Sequence, residues 1–313
     1  MSFSKKKIIL HIGLYKAGSS FIQNHFRQVK LDDCKIFLKE SEIVKLLLKY
    51  LWNPNNEIKQ QILNNIQTEK SKKIFLSSEG IFGHQYYKFK DVSKRFQLLE
   101  ELFNQPKYII FFREPSSIIY SGFFQGLQKS HNLKFENYIN ENKNDIISKS
   151  HYNYFAKGLD YKIYNYNYLF KDYLNIHNRV LFIDHDKFFK EKNGNCINNF
   201  TGINIIFNFD KKINPSINNL IYLQFYSKFF LFKCIKIIWL KFNKIFYKLK
   251  KQRDLSLSLD VLIIILTKIT PKKYIKEIDD KHKQLLEEIK NYHSKNYREF
   301  KNKLVSKYTN YHN

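Results

Sequence analysis

The sequence predicts an α/β protein, with a parallel β-sheet flanked by helices and a helical C-terminal region. Three observations carry this. Four short runs, Lys7–Ile12, Lys73–Ser77, Tyr108–Phe112 and Val180–Asp184, are almost continuously apolar, as strands buried on both faces are. The stretches between them are long enough for crossover helices, the connection parallel strands require. Each run then passes into a polar or glycine-bearing segment: Gly13–Ser20, Ser78-Glu79-Gly80, Arg113-Glu114-Pro115 and Asp184-His185-Asp186. In open α/β sheets, ligands bind beyond the carboxyl ends of the strands.

The first run follows Lys5-Lys6-Lys7. Its apolar part is too short for a secretory h-region and leads straight into a glycine loop, so it reads as a strand. The pattern changes after about Pro215, which sets residues 1–215 as an α/β core and 216–313 as a helical region packing on it. Ser216–Lys251 has helical character, with Lys233, Lys236, Lys241, Lys244 and Lys248 on one broad face. That face is either the solvated side of a core-packing helix or a surface for anionic lipid or glycan. The basic 228–251 stretch is therefore the candidate for peripheral membrane contact. Val261–Leu266 reads as a short apolar run inside a helix, and Pro271–Lys307 as a charged helix with proline suited to its first turn. No stretch of some 20 uncharged apolar residues predicts a spanning helix.

Composition narrows the function classes. Of 313 residues, 43% are hydrophobic and 17% aromatic, enough for a sizeable core and against wholesale disorder. The formal charge of +26 favours anionic partners, though lysine abounds here together with Asn, Ile, Tyr and Phe, as an AT-rich coding sequence would give. The lysines are spread along the chain and no nucleic-acid module is visible, so nucleic acid is not the expected partner. The three cysteines, Cys34, Cys196 and Cys234, have no metal-ligand spacing. Their scarcity fits a reducing, cytoplasmic compartment, and no metal is expected.

The segment His11-Ile12-Gly13-Leu14-Tyr15-Lys16-Ala17-Gly18-Ser19-Ser20-Phe21 runs from strand through glycine turn to helix start. Backbone N–H groups at such a turn cradle phosphate oxygens, and the helix dipole favours the anion. Gly13 and Gly18 let the backbone bend close to a ligand, while Ser19 and Ser20 add hydroxyl donors. A Walker A loop places lysine directly before Ser/Thr. Here Ser19 follows Gly18 directly, and Lys16 lies two residues before that glycine, which argues against an ordinary ATPase or kinase.

With Lys16 in that register, the loop resembles the P-loop-type fold of the PAPS-dependent sulfotransferases, whose loop runs H-I-G-x-x-K-T-G-T-T-x-L-Q. PAPS is 3′-phosphoadenosine 5′-phosphosulfate. Gln23 also matches, Ala17 replaces the usual threonine, and serines stand for the two later threonines. The family's second motif, an arginine after a strand and a serine eight residues on, is similar to Arg113 and Ser121. The resemblance implies that this pair holds the 3′-phosphate, a task suited to the charged fork of arginine. Weaker similarities to bacterial glycan-type members lie at Val180–Phe188, Lys212–Ser216 and Tyr292–Asn296 with Tyr308–Tyr311, whereas 219–272 matches none.

The implied activity is transfer of a sulfuryl group from PAPS to a hydroxyl or amine of a carbohydrate, a cell-surface or capsular glycan, of the EC 2.8.2 type. Gly13, Tyr15, Lys16, Ala17, Gly18, Ser19, Ser20 and Phe21 would bind the donor with Arg113 and Ser121. Lys16 suits the leaving oxygen, where transition-state charge grows. Glu79 is the expected base, its carboxyl raised toward neutrality if partly buried, with His84 as rival. Asp184, His185 and Asp186 read as structural or substrate-contacting, and Lys129 and His131 as candidate contacts to an acidic acceptor. Two alternatives stay open: a P-loop nucleotide kinase, and a non-catalytic binder of acidic polymer or membrane.

Overall fold

The computed structural model describes residues 6–29, 31, 33–85, 88–129, 135–139, 159–210 and 272–308. Two compact units divide the chain. One comprises Met1–Glu114, Lys162–Lys211 and His293–Asn313, the other Pro115–Tyr161 and Lys212–Tyr292.

The first unit is built on a five-stranded, all-parallel sheet. Its strands are β1 (Lys7–His11), β2 (Cys34–Leu38), β3 (Lys73–Ser77), β4 (Lys107–Phe112) and β5 (Val180–Asp184), in the order β2-β3-β1-β4-β5. The α/β architecture expected from the four apolar runs is the one observed. β1 ends one residue before its run does, and β4 begins one residue earlier than expected. β2 is additional. It lies at the sheet edge with only its two end residues buried, so its sequence lacks the continuous apolar signal of a central strand.

Helices cover the sheet in the manner parallel pairing demands. α1 (Ser19–Gln28) follows β1, and α2 (Glu42–Trp52) and α3 (Asn56–Thr68) join β2 to β3. α3 shows the local logic. Asn55 caps it by accepting a hydrogen bond from Ile58 N at 2.9 Å, and Ile58, Ile62 and Ile66, one turn apart, form its buried stripe. α4 (Val92–Phe103) links β3 to β4. α5 (Pro115–Lys129) and α6 (Phe135–Tyr138) belong to the second unit. α7 (Tyr166–Leu169) and α8 (Lys171–Leu174) precede β5, and α9 (His185–Glu191) and α10 (Asn195–Thr201) follow it. α11 (Lys272–Tyr308) realises the expected C-terminal helix, and its portion from His293 belongs to the first unit.

Aromatic rings fill the first unit's core. Phe26 of α1 stacks on Phe75 of β3 with centroids 3.9 Å apart. Phe300 of α11 packs against Phe112, Phe170 and Phe182 at 5.2–5.6 Å, the separations aromatic pairs prefer. In the second unit Tyr120, Phe123, Phe124 and Phe135 surround His282. Burial lowers that histidine's pKa to about 4. Gly122 faces Tyr138 so closely that a Cβ would stand 2.7 Å from its hydroxyl.

The topology places the site. From β1 the chain moves toward β2, whereas from β3 it crosses to β4, so the loops after these adjacent strands leave in opposite directions. A crevice opens at the carboxyl ends where such a reversal occurs. The expected helix over Ser216–Lys251, its basic 228–251 face, the Val261–Leu266 run, Lys212–Ser216, Pro271 and Cys234 lie outside the described residues. Among the described residues no helix is long and apolar enough to cross a membrane.

Candidate active site

The loop after β1 begins as an extension of the sheet, with Ile12 N donating to Ile109 O at 3.0 Å. It then turns tightly. Ala17 N donates to Leu14 O, Lys16 adopts φ 66° and Gly18 φ 103°. Left-handed backbone at a lysine costs free energy that surrounding structure must offset, and it concentrates at functional sites. Gly18 is the N-cap of α1 and supplies no side-chain oxygen, so the first-turn N–H groups lack a side-chain cap. Ser19 is buried and its Oγ has no hydrogen-bond partner among the described residues, while Ser20 is exposed. A Cβ on Gly13 would lie 3.0 Å from Ser19 Oγ. Ala17 is fully buried. Phe21 is core as well as loop: its ring packs on Phe189 and Phe209 at 4.8 and 5.2 Å.

Glu79 stands just beyond β3 in a single 3₁₀ turn, Glu79–Ile81. Ser78 starts that turn by accepting from Gly80 N at 3.2 Å, and Arg95 donates to Gly80 O at 2.8 Å while pairing with Asp91. Gln23 of α1 reaches across and donates through Nε2 to Glu79 Oε2 at 3.4 Å. The half-buried carboxylate is thus tied to the helix that begins at the loop. The rival base, His84, is half-buried, and its ring meets that of Tyr15 with centroids 5.3 Å apart. Both candidate bases therefore have a contact to the loop or its helix.

Arg113 emerges from β4, the other neighbour of β1. Tyr166 donates its hydroxyl to Arg113 O at 2.5 Å, and burial raises that phenol's pKa well above its usual value. The guanidinium Nε lies 3.2 Å from Asp186 Oδ1, an ion-pair contact. Asp186 Oδ1 also meets His185 Nδ1 at 2.7 Å. The hydrogen bond from His185, against opposing burial and aided by the Arg113 charge, holds the Asp186 carboxyl below its ordinary pKa. His185 abuts the loop, since a Cβ on Gly18 would lie 3.1 Å from its Cδ2. Asp184 has a different task. It caps α9 by accepting from Asp186 N and Lys187 N, and it pairs with Lys301 of α11 at 2.7 Å. Among the described residues no group of three or more His, Cys, Asp or Glu side chains is placed to hold a metal.

The structure brings Lys16, Ser19, Glu79, His84, Arg113 and the Asp184–Asp186 segment to the carboxyl edge of one sheet. Ser121 and Lys129 lie on α5 in the second unit, Ser121 half-buried, and His131 is outside the described residues. Tyr166 and Lys301 gave no signal in the sequence, because their partners are distant in the chain.

Three features fit an anionic nucleotide here. α1 begins without a side-chain cap, Ser19 Oγ is buried and has no hydrogen-bond partner among the described residues, and the Arg113 guanidinium stands at the end of the neighbouring strand. The backbone is similar to the crystal structure of a sulfotransferase from Alicyclobacillus acidocaldarius, at 12% identity and a TM-score of 0.45, covering 71% of this chain and 92% of that one. No family model and no curated protein matches the chain.

Proposed function

We propose that this chain is a PAPS-dependent sulfotransferase acting on a hydroxyl or amine of a carbohydrate. One observation carries the reading. A helix N-terminus without a side-chain cap, whose buried Ser19 hydroxyl has no hydrogen-bond partner among the described residues, follows a turn with left-handed Lys16 and Gly18, and Arg113 stands one strand away. Two separated anion-binding elements at one sheet edge suit a nucleotide phosphorylated at both its 5′ and 3′ positions.

When bound, PAPS supplies the sulfuryl group and a phosphate leaving group. The amides at the start of α1 and the Ser19 hydroxyl would hold the 5′ end, and Arg113 would hold the 3′-phosphate, as the resemblance implies. Lys16 provides positive charge to the departing oxygen, where it stabilises the transition state more than the ground state. Glu79, oriented by Gln23, takes the proton from the acceptor. A carbohydrate acceptor, a surface or capsular glycan, is the class proposed, supported by Glu79 at the end of β3, where several glycan sulfotransferases of the resembled family carry a glutamate. The basic 228–251 stretch would meet the membrane surface or the acceptor.

Calorimetry with 3′,5′-bisphosphorylated adenosine, and turnover of labelled PAPS against a glycan panel, test this. Lys16→Ala should abolish most turnover. Arg113→Ala should weaken nucleotide binding by about tenfold to a hundredfold, since a hydrogen bond to a charged group contributes about 1.5–3 kcal/mol. Absence of binding up to millimolar nucleotide, or a thermal-shift preference for ATP-Mg²⁺ as a nucleotide kinase would show, overturns the reading.

A further inference from the structure

His11 is the motif residue to which the proposed chemistry assigns no task. It is 1% exposed, and burial lowers its pKa to about 3, so it stays neutral through the physiological range. Its ring lies between Phe75 and Phe111, with centroids 6.3 and 5.8 Å away. Nδ1 stands 2.7 Å from Ser77 Oγ on β3, and the His11 carbonyl accepts from Ser78 N at 3.2 Å. The ring's other edge faces the loop. Nε2 would lie 3.8 Å from a Cβ on Gly13, the same position that Ser19 Oγ approaches to 3.0 Å.

One residue thus bonds to both positions that precede Glu79, while its ring borders the space beside the first glycine of the loop. The sheet does not need this polar pair to hold its register. β1 and β3 are already joined by main-chain pairing over five consecutive residue pairs, from Lys7↔Lys73 to His11↔Ser77. Replacing a buried hydrogen-bonded pair by apolar groups of similar shape is often nearly neutral for stability. What a directional pair adds over an apolar one is a fixed relative placement of the two strand ends.

We propose that His11 is a positioning residue that locks the Gly13–Ser19 anion-binding loop to the Ser78–Gly80 turn carrying Glu79. What is positioned for, donor against base, rests on the sulfotransferase reading. The lock itself is a property of the fold and is testable without it.

The experiment compares the native chain, Ser77→Ala, and the double variant His11→Leu with Ser77→Ala. Amide hydrogen exchange is read at Gly13–Ser19 and at Ser78–Gly80, beside urea stability and, where turnover exists, kcat and KM. Ser77→Ala removes a single hydroxyl from β3, so its folding is not at issue. It should speed exchange in both segments, including the loop on the neighbouring strand, by about tenfold or more. The double variant should recover most of the stability lost by Ser77→Ala yet keep the fast exchange. Its kcat should remain at least about tenfold down with KM for PAPS within about threefold of native, because the catalytic groups lose alignment while the binding groups persist. A merely structural pair would restore exchange and kcat together with stability in the double variant, and that result overturns the proposal. Unchanged loop exchange in Ser77→Ala does so too. If the native chain binds no bisphosphorylated adenosine, the sulfotransferase reading fails while the exchange data still decide the lock.

Discussion

Two single-methyl substitutions in one loop should impair different properties, one stability and the other ligand affinity. Gly18→Ala places a side chain on a residue at φ 103°, which costs about 1–3 kcal/mol for a non-glycine residue. Its methyl would stand 3.1 Å from His185 Cδ2 and 3.5 Å from Phe111 and Phe189. The His185 ring must give by a few tenths of an ångström in a packed setting, while the two phenylalanine contacts are of ordinary length, and this adds about 1 kcal/mol. The expected loss is about 2–4 kcal/mol of stability. Gly13 has no positive φ, and the only contact of its would-be methyl under 3.4 Å is the end of a rotatable side chain, Ser19 Oγ. Gly13→Ala should therefore cost less than about 1 kcal/mol in stability, within the common range for mild substitutions. It should turn the Ser19 hydroxyl away from the loop's anion site, weakening 3′,5′-bisphosphorylated adenosine by about tenfold to a hundredfold, the value of a hydrogen bond to a charged group. Urea midpoints by circular dichroism and calorimetric titration read the two effects separately. A Gly18→Ala protein as stable as native would refute the strain argument. Native affinity in Gly13→Ala would refute the placement of Ser19.

Two other perturbations follow from buried and capping groups. His11 and His282 have folded pKa values lowered to about 3 and about 4 from 6.5. The unfolded chain therefore binds more protons below pH 6.5, so stability is full above that pH and falls as pH drops toward 4. The loss should approach about 1.4 kcal/mol per pH unit for each histidine, and His11→Leu should flatten part of that limb in pH-resolved urea titrations. Asp184→Ala removes the cap of α9 and the partner of Lys301. It should cost about 1–2 kcal/mol, whereas Lys301→Ala, whose side chain is half-exposed, should cost less than about 1 kcal/mol. Equal costs for the two would mean that the ion pair, not the cap, carries the stabilisation.

What the amino-acid sequence determined by itself was whatever is local in the chain. Strands buried on both faces must be apolar throughout, so four of the five described strands were legible within a residue at either end. The loop was legible because a sharp strand-to-helix turn needs glycine where φ is positive, and Gly18 is such a position. β2 escaped because an edge strand is half solvated and Lys35 interrupts its pattern. The Ser19 and Ser20 hydroxyls look equivalent in sequence. Only the packing of α1 buried the first and exposed the second. Likewise Phe21 sits inside the loop motif, yet its ring joins the aromatic cluster with Phe189 and Phe209. The pairings that organise the site were decided by the tertiary structure alone: Gln23 to Glu79, Arg113 to Asp186, and His11 to Ser77, across 56, 73 and 66 residues. Side-chain pairs of that range leave no periodic trace. They form because a parallel sheet in the order β2-β3-β1-β4-β5 brings the carboxyl ends of β3, β1, β4 and β5 side by side, and with them the residues that follow each strand.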